Sequence, residues 1–451
     1  MSTSVDELIT LRRATNQWHS AARVALMVVL MAAPLAFGAV EPWAWSALAA
    51  GAFVVLLLWA GGSAKSGRLI VSGTPLYLPL LLLLLLMVLQ GFGNVTFDPI
   101  GSREALVKFT LYTTVFFLSR ELYRGESASS WSQMGLALVI YAFALALFAT
   151  VQFFSSPGLR YWNRRPLWGG TVFGPYVNHN HYAGLMEILI PIGLGYILSA
   201  RESKARPVLV FAILVAIASV LISGSRGGMI ALVAELILFS VLVLRKGPEP
   251  RPARVILVGC LTLAAVALLL FIWLDPGDVT KRLEQTASSP KMSIADREKY
   301  AFDTFRMIRD YPILGVGSGS FEAAYPAYQS FSSDLVVNHV HNDYLEALAE
   351  TGIVGFLLVL SAIGLFLRQV FFLSLHRSNW IGVGAAVGCC GLLIHSFSDF
   401  NLHIPANAAW FAYAAAVATV SRESSTLSLN RQRSDQEAGW HYISRPSESC
   451  S

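Results

Sequence analysis

Leu80-Leu-Leu-Leu-Leu-Leu-Leu86 decides the fold. A helix built from an unbroken leucine run has no polar face to turn toward water, so its surroundings must be lipid or other helices. A bilayer crossing needs about 20 mostly apolar residues, and the run sits within such a segment, 75–92. Pro75 stands at its start, where a missing N–H does no harm. Comparable segments occur at 22–40, 43–61, 104–120, 133–154, 179–199, 206–223, 227–244, 254–274, 346–374, 380–398 and 404–420. Over the 451 residues, 55% are apolar and 14% charged, against roughly 25% charged in soluble proteins. The expected fold is all-α: a polytopic membrane protein with about twelve transmembrane helices. Its parts are an N-terminal segment (1–21), nine spans (22–274), a long loop (275–345), three spans (346–420) and a Ser- and Arg-rich tail (421–451) expected to be disordered.

Charge sets the orientation. With both termini in the cytoplasm, the inner segments hold Arg12, Arg13, Arg23, Lys65, Arg68, Arg120, Arg124, Arg201, Lys204, Arg206, Arg245, Lys246, Arg251, Arg254, Arg368 and Arg377. Short outer connectors carry almost none, apart from Arg103. This is the positive-inside pattern. The Ala-rich stretch Ala36–Ala39 resembles a signal-peptidase site, but removing the first span would spoil the charge count, so that span is expected to stay. Trp43, Trp45, Trp273 and Trp410 fall near predicted span ends, where aromatic anchors collect. The net charge of +5 comes without a basic stripe and interleaved aromatics, so nucleic acid is not an expected partner. Cys260, Cys389, Cys390 and Cys450 have neither metal-site nor disulfide spacing.

Two outer segments break the charge rule. The connector 155–178 carries Arg160, Arg164 and Arg165, and the loop 275–345 carries seven basic residues from Lys281 to Arg309. These groups are either solvated or meet an anionic ligand. A loop of this length is functional or disordered, and this one carries helical pattern. Tyr300/Ala301, Phe305 and Ile308 fall on one face of a helix over 296–310, Pro312 stops it, and Phe321–Ser330 can form another short helix. A small helical cap over the outer end of the bundle is expected.

Five outer motifs can carry chemistry. In Ser223-Gly-Ser-Arg-Gly-Gly228 the glycines permit close backbone approach, and Arg226 either snorkels to headgroups or faces inward to bind phosphate. Arg297 starts the cap helix, where a cation opposes the helix dipole. His339-Val-His341-Asn-Asp-Tyr-Leu-Glu-Ala-Leu-Ala-Glu-Thr-Gly352 is the strongest motif. Helical spacing puts His341, Leu345 and Leu348 on one face and Asp343, Glu346 and Glu350 on another. An imidazole at the mouth of a span can act as a general base or make a plain structural hydrogen bond. The His339-x-His341 pair can also begin a zinc site, but no third or fourth ligand is evident, so no metal is expected. Asn178-His-Asn-His-Tyr182 enters span six, with Glu187 on the same polar face, and polar groups in such a place usually face a cavity. Asp399-Phe-Asn-Leu-His-Ile-Pro405 joins the last two spans. All five motifs land on one side of the membrane.

Together these motifs resemble the signature of the O-antigen ligase and polymerase superfamily: Asn178–His181, Ser223–Gly228, the Arg297 helix followed by Pro312-Ile-Leu-Gly-Val-Gly317, and His341-Asn-Asp-Tyr-Leu with Glu350-Thr-Gly352. The resemblance covers roughly 170–405, and the first five spans carry no assignable motif. It implies a GT-C-like bacterial inner-membrane glycosyltransferase with a periplasmic helical loop and a metal-independent, inverting mechanism. The implied donor is a glycan on undecaprenyl diphosphate. The implied acceptor is lipid A–core for a ligase, another glycan for a polymerase, or a protein hydroxyl. In that setting Arg226 and Arg297 hold the diphosphate and His341 deprotonates the acceptor. Asn178, Asn180, His181 and Asp399 are candidate substrate contacts, and Arg160, Arg164 and Arg165 attract the anionic donor. No cofactor is expected. The main alternative is a transporter of lipid-linked glycans. It would place ionisable groups near the midplane in repeated halves, whereas Lys108, Glu187 and Glu235 are the only conspicuous mid-span charges and no repeat is visible.

Overall fold

The computed structural model describes residues 5–67, 69, 71–156, 158–164, 171–200, 204–245, 259, 294–332, 336–374 and 379–420. Regular structure among them is helical: α1 (Val5–Leu35), α2 (Pro42–Ser66), α3 (Tyr77–Phe92), α4 (Pro99–Tyr123), α5 (Ala128–Ser155), α6 (His179–Ser199), α7 (Arg206–Ser223), α8 (Arg226–Arg245), α9 (Ile294–Asp310), α10 (Phe321–Ala324), α11 (Asp343–Arg368), α12 (Trp380–His395) and α13 (Pro405–Thr419). Seven helices are long and apolar enough to cross a membrane, and α3 and α12 are shorter apolar helices. The chain is therefore a polytopic helical membrane protein. The span expected at 254–274, Trp273 and the tail lie outside the described residues. The polar residues before Val24 are not a plain connector, because α1 already begins at Val5.

Packing separates a lipid-facing surface from a dense interior. Phe53, Leu57, Leu81, Leu85, Phe154, Phe211 and Leu357 all point outward, and a soluble protein would not leave so many large apolar groups exposed. The leucine run itself is divided, with Leu83 and Leu86 buried and Leu81, Leu82 and Leu85 exposed. The interior centres on α6, which is buried along almost its whole length, and on α12 beside it. Glycines let these two backbones meet. A Cβ on Gly195 would stand 2.1 Å from the Trp380 carbonyl oxygen, and one on Gly384 would stand 2.1 Å from that of Pro191. Small residues at such a seam let dispersion forces act at short range, where lipid supplies no hydrophobic driving force. Trp410 belongs to this interior. It is fully buried, and its indole N–H donates to the Leu30 carbonyl at 2.9 Å, so it is a core residue and not the interfacial anchor its position suggested. Trp43, at the start of α2, is exposed.

Between α8 and α11, the described residues 294–332 and 336–342 form a small helical cap around a second apolar core of Tyr300, Met307, Val316, Phe321, Tyr325, Val337, Val340 and Ala349. The buried face of α9 is not the expected one. Tyr300, Asp303, Thr304 and Met307 point inward while Phe305 is exposed. Asp303 draws the helix round by accepting from the Tyr325 hydroxyl at 3.1 Å and the Ser330 N–H at 3.0 Å. The second short helix stops at Ala324 and continues as a 3₁₀ turn, Tyr325–Ala327.

The cap is fastened where α11 breaks. Gly352 has φ 60° and ψ −170°, a conformation open in practice only to glycine. The break turns backbone groups toward 312–317: Val316 N–H donates to Ala349 O at 3.0 Å, Gly317 N–H to Glu350 O at 3.0 Å, and Ile353 N–H to Pro312 O at 2.8 Å. Gln90 of α3 joins the same knot, donating to Leu314 O at 2.7 Å and Glu350 O at 2.9 Å. A Cβ on Gly352 would lie 2.3 Å from the Ile313 oxygen. Gly352→Ala is therefore expected to destabilise the cap by at least about 1–3 kcal/mol. A melting curve in detergent checks this: the variant melts earlier, and an unchanged midpoint would contradict the packing described.

Candidate functional site

The bend after α12 is the meeting point. The helix stops at His395, and the chain turns through Ser396–Phe400 into a 3₁₀ turn, Asn401–His403. Pro405 then opens α13, a position that suits its fixed φ and missing N–H. Asp399 is fully buried in this bend. It accepts from the Asn180 side-chain amide, pairs with His341 Nδ1 at 3.2 Å and accepts from the Phe400 N–H at 2.8 Å. His181 Nε2 stands 3.8 Å away. Burial pushes the carboxyl up, but the imidazoles of His181 and His341 more than offset this and hold it well below its ordinary 3.8. The Phe400 ring fills the space between the histidines, with ring centroids 4.2 Å from His339, 4.7 Å from His341 and 4.8 Å from His181.

The arginines come to the same bend from different elements. Arg297, in the first turn of α9, donates from Nη1 to the Ser398 carbonyl at 3.1 Å, one residue before Asp399. Arg226 is the exposed first residue of α8. Its neighbour Gly227 lies so close to the bend that a Cβ there would meet His395 Nε2 at 2.5 Å and Ser398 Oγ at 2.6 Å. Its turn is also tied to α6 through the contact of His179 Nδ1 with Ser223 O at 2.7 Å. Gly227 thus serves close approach to the site loop, while Gly228 makes room for Ala183 of α6 and Gly224 takes a left-handed φ of 71°.

His341 is placed differently from the helical-face reading. It lies outside α11, at φ 58°, and Asn342 caps the helix by accepting from the N–H groups of Tyr344 and Leu345, each at 3.0 Å. A capping Asn satisfies donors that would otherwise be orphaned at the N-terminus. The carboxylates one turn along are not partners of His341. Glu350 accepts from the Phe321 N–H at 3.0 Å in the cap. Asp343 and Glu346 hold a second pair of imidazoles. His339 Nδ1 meets Glu346 Oε1 at 2.6 Å, His403 Nδ1 meets Asp343 Oδ1 at 2.7 Å, and His403 Nε2 faces Glu346 Oε1 at 3.3 Å. Burial presses the His403 imidazole down, but Glu346 and Asp343 outweigh it and carry it up to about 10. This pocket favours positive charge.

Residues 210–360 match the family model described as O-antigen ligase. Over that stretch the chain is similar to O-antigen ligases. The match runs from α7 into α11 and includes Arg226, Arg297 and His341, while Asn178–His181 and Asp399 lie outside it. A search of curated proteins finds no match.

The structure gathers His341, Asp399, Asn180, His181 and Arg297 at one bend and brings the backbone of the Arg226 turn to the same loop through Gly227. Asn178 is the N-cap of α6, accepting from the Asn180 N–H at 2.9 Å, which gives its side chain a structural task. Arg165 lies outside the described residues. Arg160 and Arg164 flank the Phe37 ring at 4.6 and 4.5 Å, and Arg164 pairs with Glu41 at 3.3 Å. Both take part in packing this connector, and the Arg164 side chain stays 44% exposed. Glu187 is buried and bonded to His395 at 2.7 Å, so the polar column runs below the bend into the bundle. The sequence reading missed His403, His395 and Phe400. His403 and Phe400 lie inside the quoted Asp399–Pro405 motif, whereas His395 sits in an apolar helix with no local signal.

The depressed Asp399 carboxyl gives a signed prediction. A lowered folded value stabilises the protein above the unfolded value, and this contribution is lost only as pH falls through the folded one. The melting gap between wild type and Asp399→Asn should therefore stay full-sized from neutral pH down to the ordinary 3.8, shrinking only below it. A gap already closing between pH 6 and that value would show the carboxyl is not held down.

Proposed function

We propose that this protein transfers a glycan from an undecaprenyl-diphosphate carrier to an acceptor hydroxyl, with inversion and with no metal in the bond-making step. The observation that carries this reading is the convergence of a His341–Asp399 pair and two arginine-bearing segments on one short bend. Asp399 at His341 Nδ1 favours the tautomer that leaves Nε2 free to accept a proton. The acceptor hydroxyl gives that proton to Nε2 as its oxygen bonds to the anomeric carbon. The bond from that carbon to the diphosphate oxygen breaks on the opposite face, and its electron pair leaves with the diphosphate. The leaving group is already a good one, so the remaining task is charge stabilisation. Arg226 and Arg297 supply it; one ion pair at about 4 Å is worth roughly 4 kcal/mol at an effective dielectric near 20.

The apolar segments of the sequence support about twelve spans, the family resemblance implies a GT-C-like arrangement in the bacterial inner membrane, and the positive-inside pattern orients it. Both termini are then cytoplasmic, and the bend, the cap and the site face the periplasm. The acceptor is lipid A–core in the ligase reading, and another glycan or a protein hydroxyl in the others. The gathering of polar groups at one end of the bundle favours an enzyme over a transporter of lipid-linked glycans, which would bind near the midplane.

His341→Ala is expected to lower transfer from a lipid-linked donor by about 10²–10⁴-fold, the usual worth of a general base. Arg226→Ala and Arg297→Ala should each abolish detectable transfer at unchanged protein level. Wild-type rates in any of these variants would remove that residue from the mechanism. Deleting the gene and analysing surface glycans separates the acceptors: loss of all long chains from lipid A–core identifies a ligase, and single-repeat products identify a polymerase.

A further inference from the structure

Beside the His341–Asp399 pair, three donors from three chain segments face a common point. His339 Nδ1 comes from the strand-like approach to α11, Glu346 Oε1 from the first turn of α11, and His403 Nε2 from the 3₁₀ turn after α12. These atoms all lie within 4.8 Å of one another. The His403–Glu346 separation is 3.3 Å, about the edge of a tetrahedron whose centre lies roughly 2.0–2.1 Å from each corner, as in zinc sites. His339 and Glu346, at 2.6 Å, are hydrogen-bonded to each other and must part by a fraction of an ångström to share an ion.

The outer shell is also built. Asp343 accepts at His403 Nδ1 and so turns Nε2 inward, the carboxylate–histidine arrangement that orients metal ligands. The other Asp343 oxygen accepts from the Leu402 N–H at 3.2 Å, and the second Glu346 oxygen accepts from the Val340 N–H at 3.1 Å. His403 Nε2 faces Glu346 at 3.3 Å without hydrogen-bond alignment. The two imidazoles are about 28% and 29% exposed, which leaves a path for an ion and a fourth position for water. The Asp343 and Glu346 carboxylates together carry the charge that one divalent cation cancels.

We propose that His339, Glu346 and His403 bind a divalent transition-metal ion of the zinc class. Two imidazoles and one carboxylate suit zinc better than magnesium or calcium, which prefer oxygen donors. The ion would clamp the approach to α11, the helix itself and the turn after α12. These segments carry His341 and Phe400, so the ion would hold the site's frame, apart from the arginines at the leaving group. The proposal does not depend on the reaction assigned above, because its readout is bound metal.

The test uses the full chain in detergent, stripped with chelator, dialysed and titrated with zinc chloride. Wild type should bind about one equivalent by elemental analysis and melt at a higher temperature with zinc than without it. The double variant His339→Gln/His403→Gln should lose that equivalent and the zinc-dependent shift, and Glu346→Gln should weaken binding by at least tenfold. No bound zinc in wild type overturns the proposal. Equal binding by wild type and the double variant also overturns it, because the ion would then sit elsewhere.

Discussion

A carboxylate sealed from solvent at the end of a helical bundle is expensive unless every lone pair is used. Asp399 is such a group, and among the described residues no arginine or lysine pairs with it. It is held instead by an amide from α6, by the imidazoles of His341 at 3.2 Å and His181 at 3.8 Å, and by its own following backbone N–H. Hydrogen bonds to a charged group are worth roughly 1.5–3 kcal/mol each, and stranding a buried charge costs more than any one of them returns. The bend therefore has little freedom: α6, the approach to α11 and the end of α12 must all be in place for the charge to be tolerated. That demand brings His341 to a fixed position and orients its ring.

The same economy extends around the bend. Asn407 of α13 donates to the His181 carbonyl at 2.8 Å and to Asn401 Oδ1 at 3.0 Å, and accepts from the buried Tyr176 hydroxyl at 2.7 Å. Gly184 of α6 makes room for Asn401, since a Cβ there would fall 2.2 Å from Oδ1. Side-chain networks of this kind tie together what they join, although the buried Asn401 side-chain nitrogen has no partner among the described residues. The first turns of α6 and α13 and the bend between α12 and α13 thus form one polar plate across the end of an otherwise apolar bundle.

Composition and periodicity made the helices legible, because lipid imposes a length and an apolar content that a single sequence displays openly. Several boundaries, such as 179–199 and 206–223, match the helices residue for residue. The motifs that meet at Asp399 were also visible, since polar residues cannot hide among leucines. Pairing was less legible. Spacing along α11 put His341 on a helical face with Leu345 and Leu348, yet the helix begins only after Asn342, and a left-handed residue just before a cap redirects a side chain in a way no 3.6-residue count anticipates. The inward turn of Asp303 and the burial of Trp410 likewise depend on partners remote in sequence, Tyr325 and Leu30. His395 was illegible for the same reason: its side-chain partner among the described residues, Glu187, lies on another helix.

These features explain why a site at the membrane boundary can be precise without a soluble scaffold. Catalytic geometry needs supports that do not move, and positions on regular elements hold a side chain better than loops do. Here the site loop itself is irregular, but every element that grips it is a helix end, and the most enclosed of these is α6. Its seam with α12 leaves no space for a methyl group at Gly195 or Gly384, so the two helices cannot slide without a clash. Asn180 at one end of α6 and Ser398–Asp399 just beyond α12 then inherit that rigidity. The cap approaches from the opposite side, through Arg297 on Ser398, and is itself pinned at Gly352. A substrate phosphate entering between Arg226 and Arg297 would meet one wall fixed by interhelical packing and another hung on a knot of backbone hydrogen bonds.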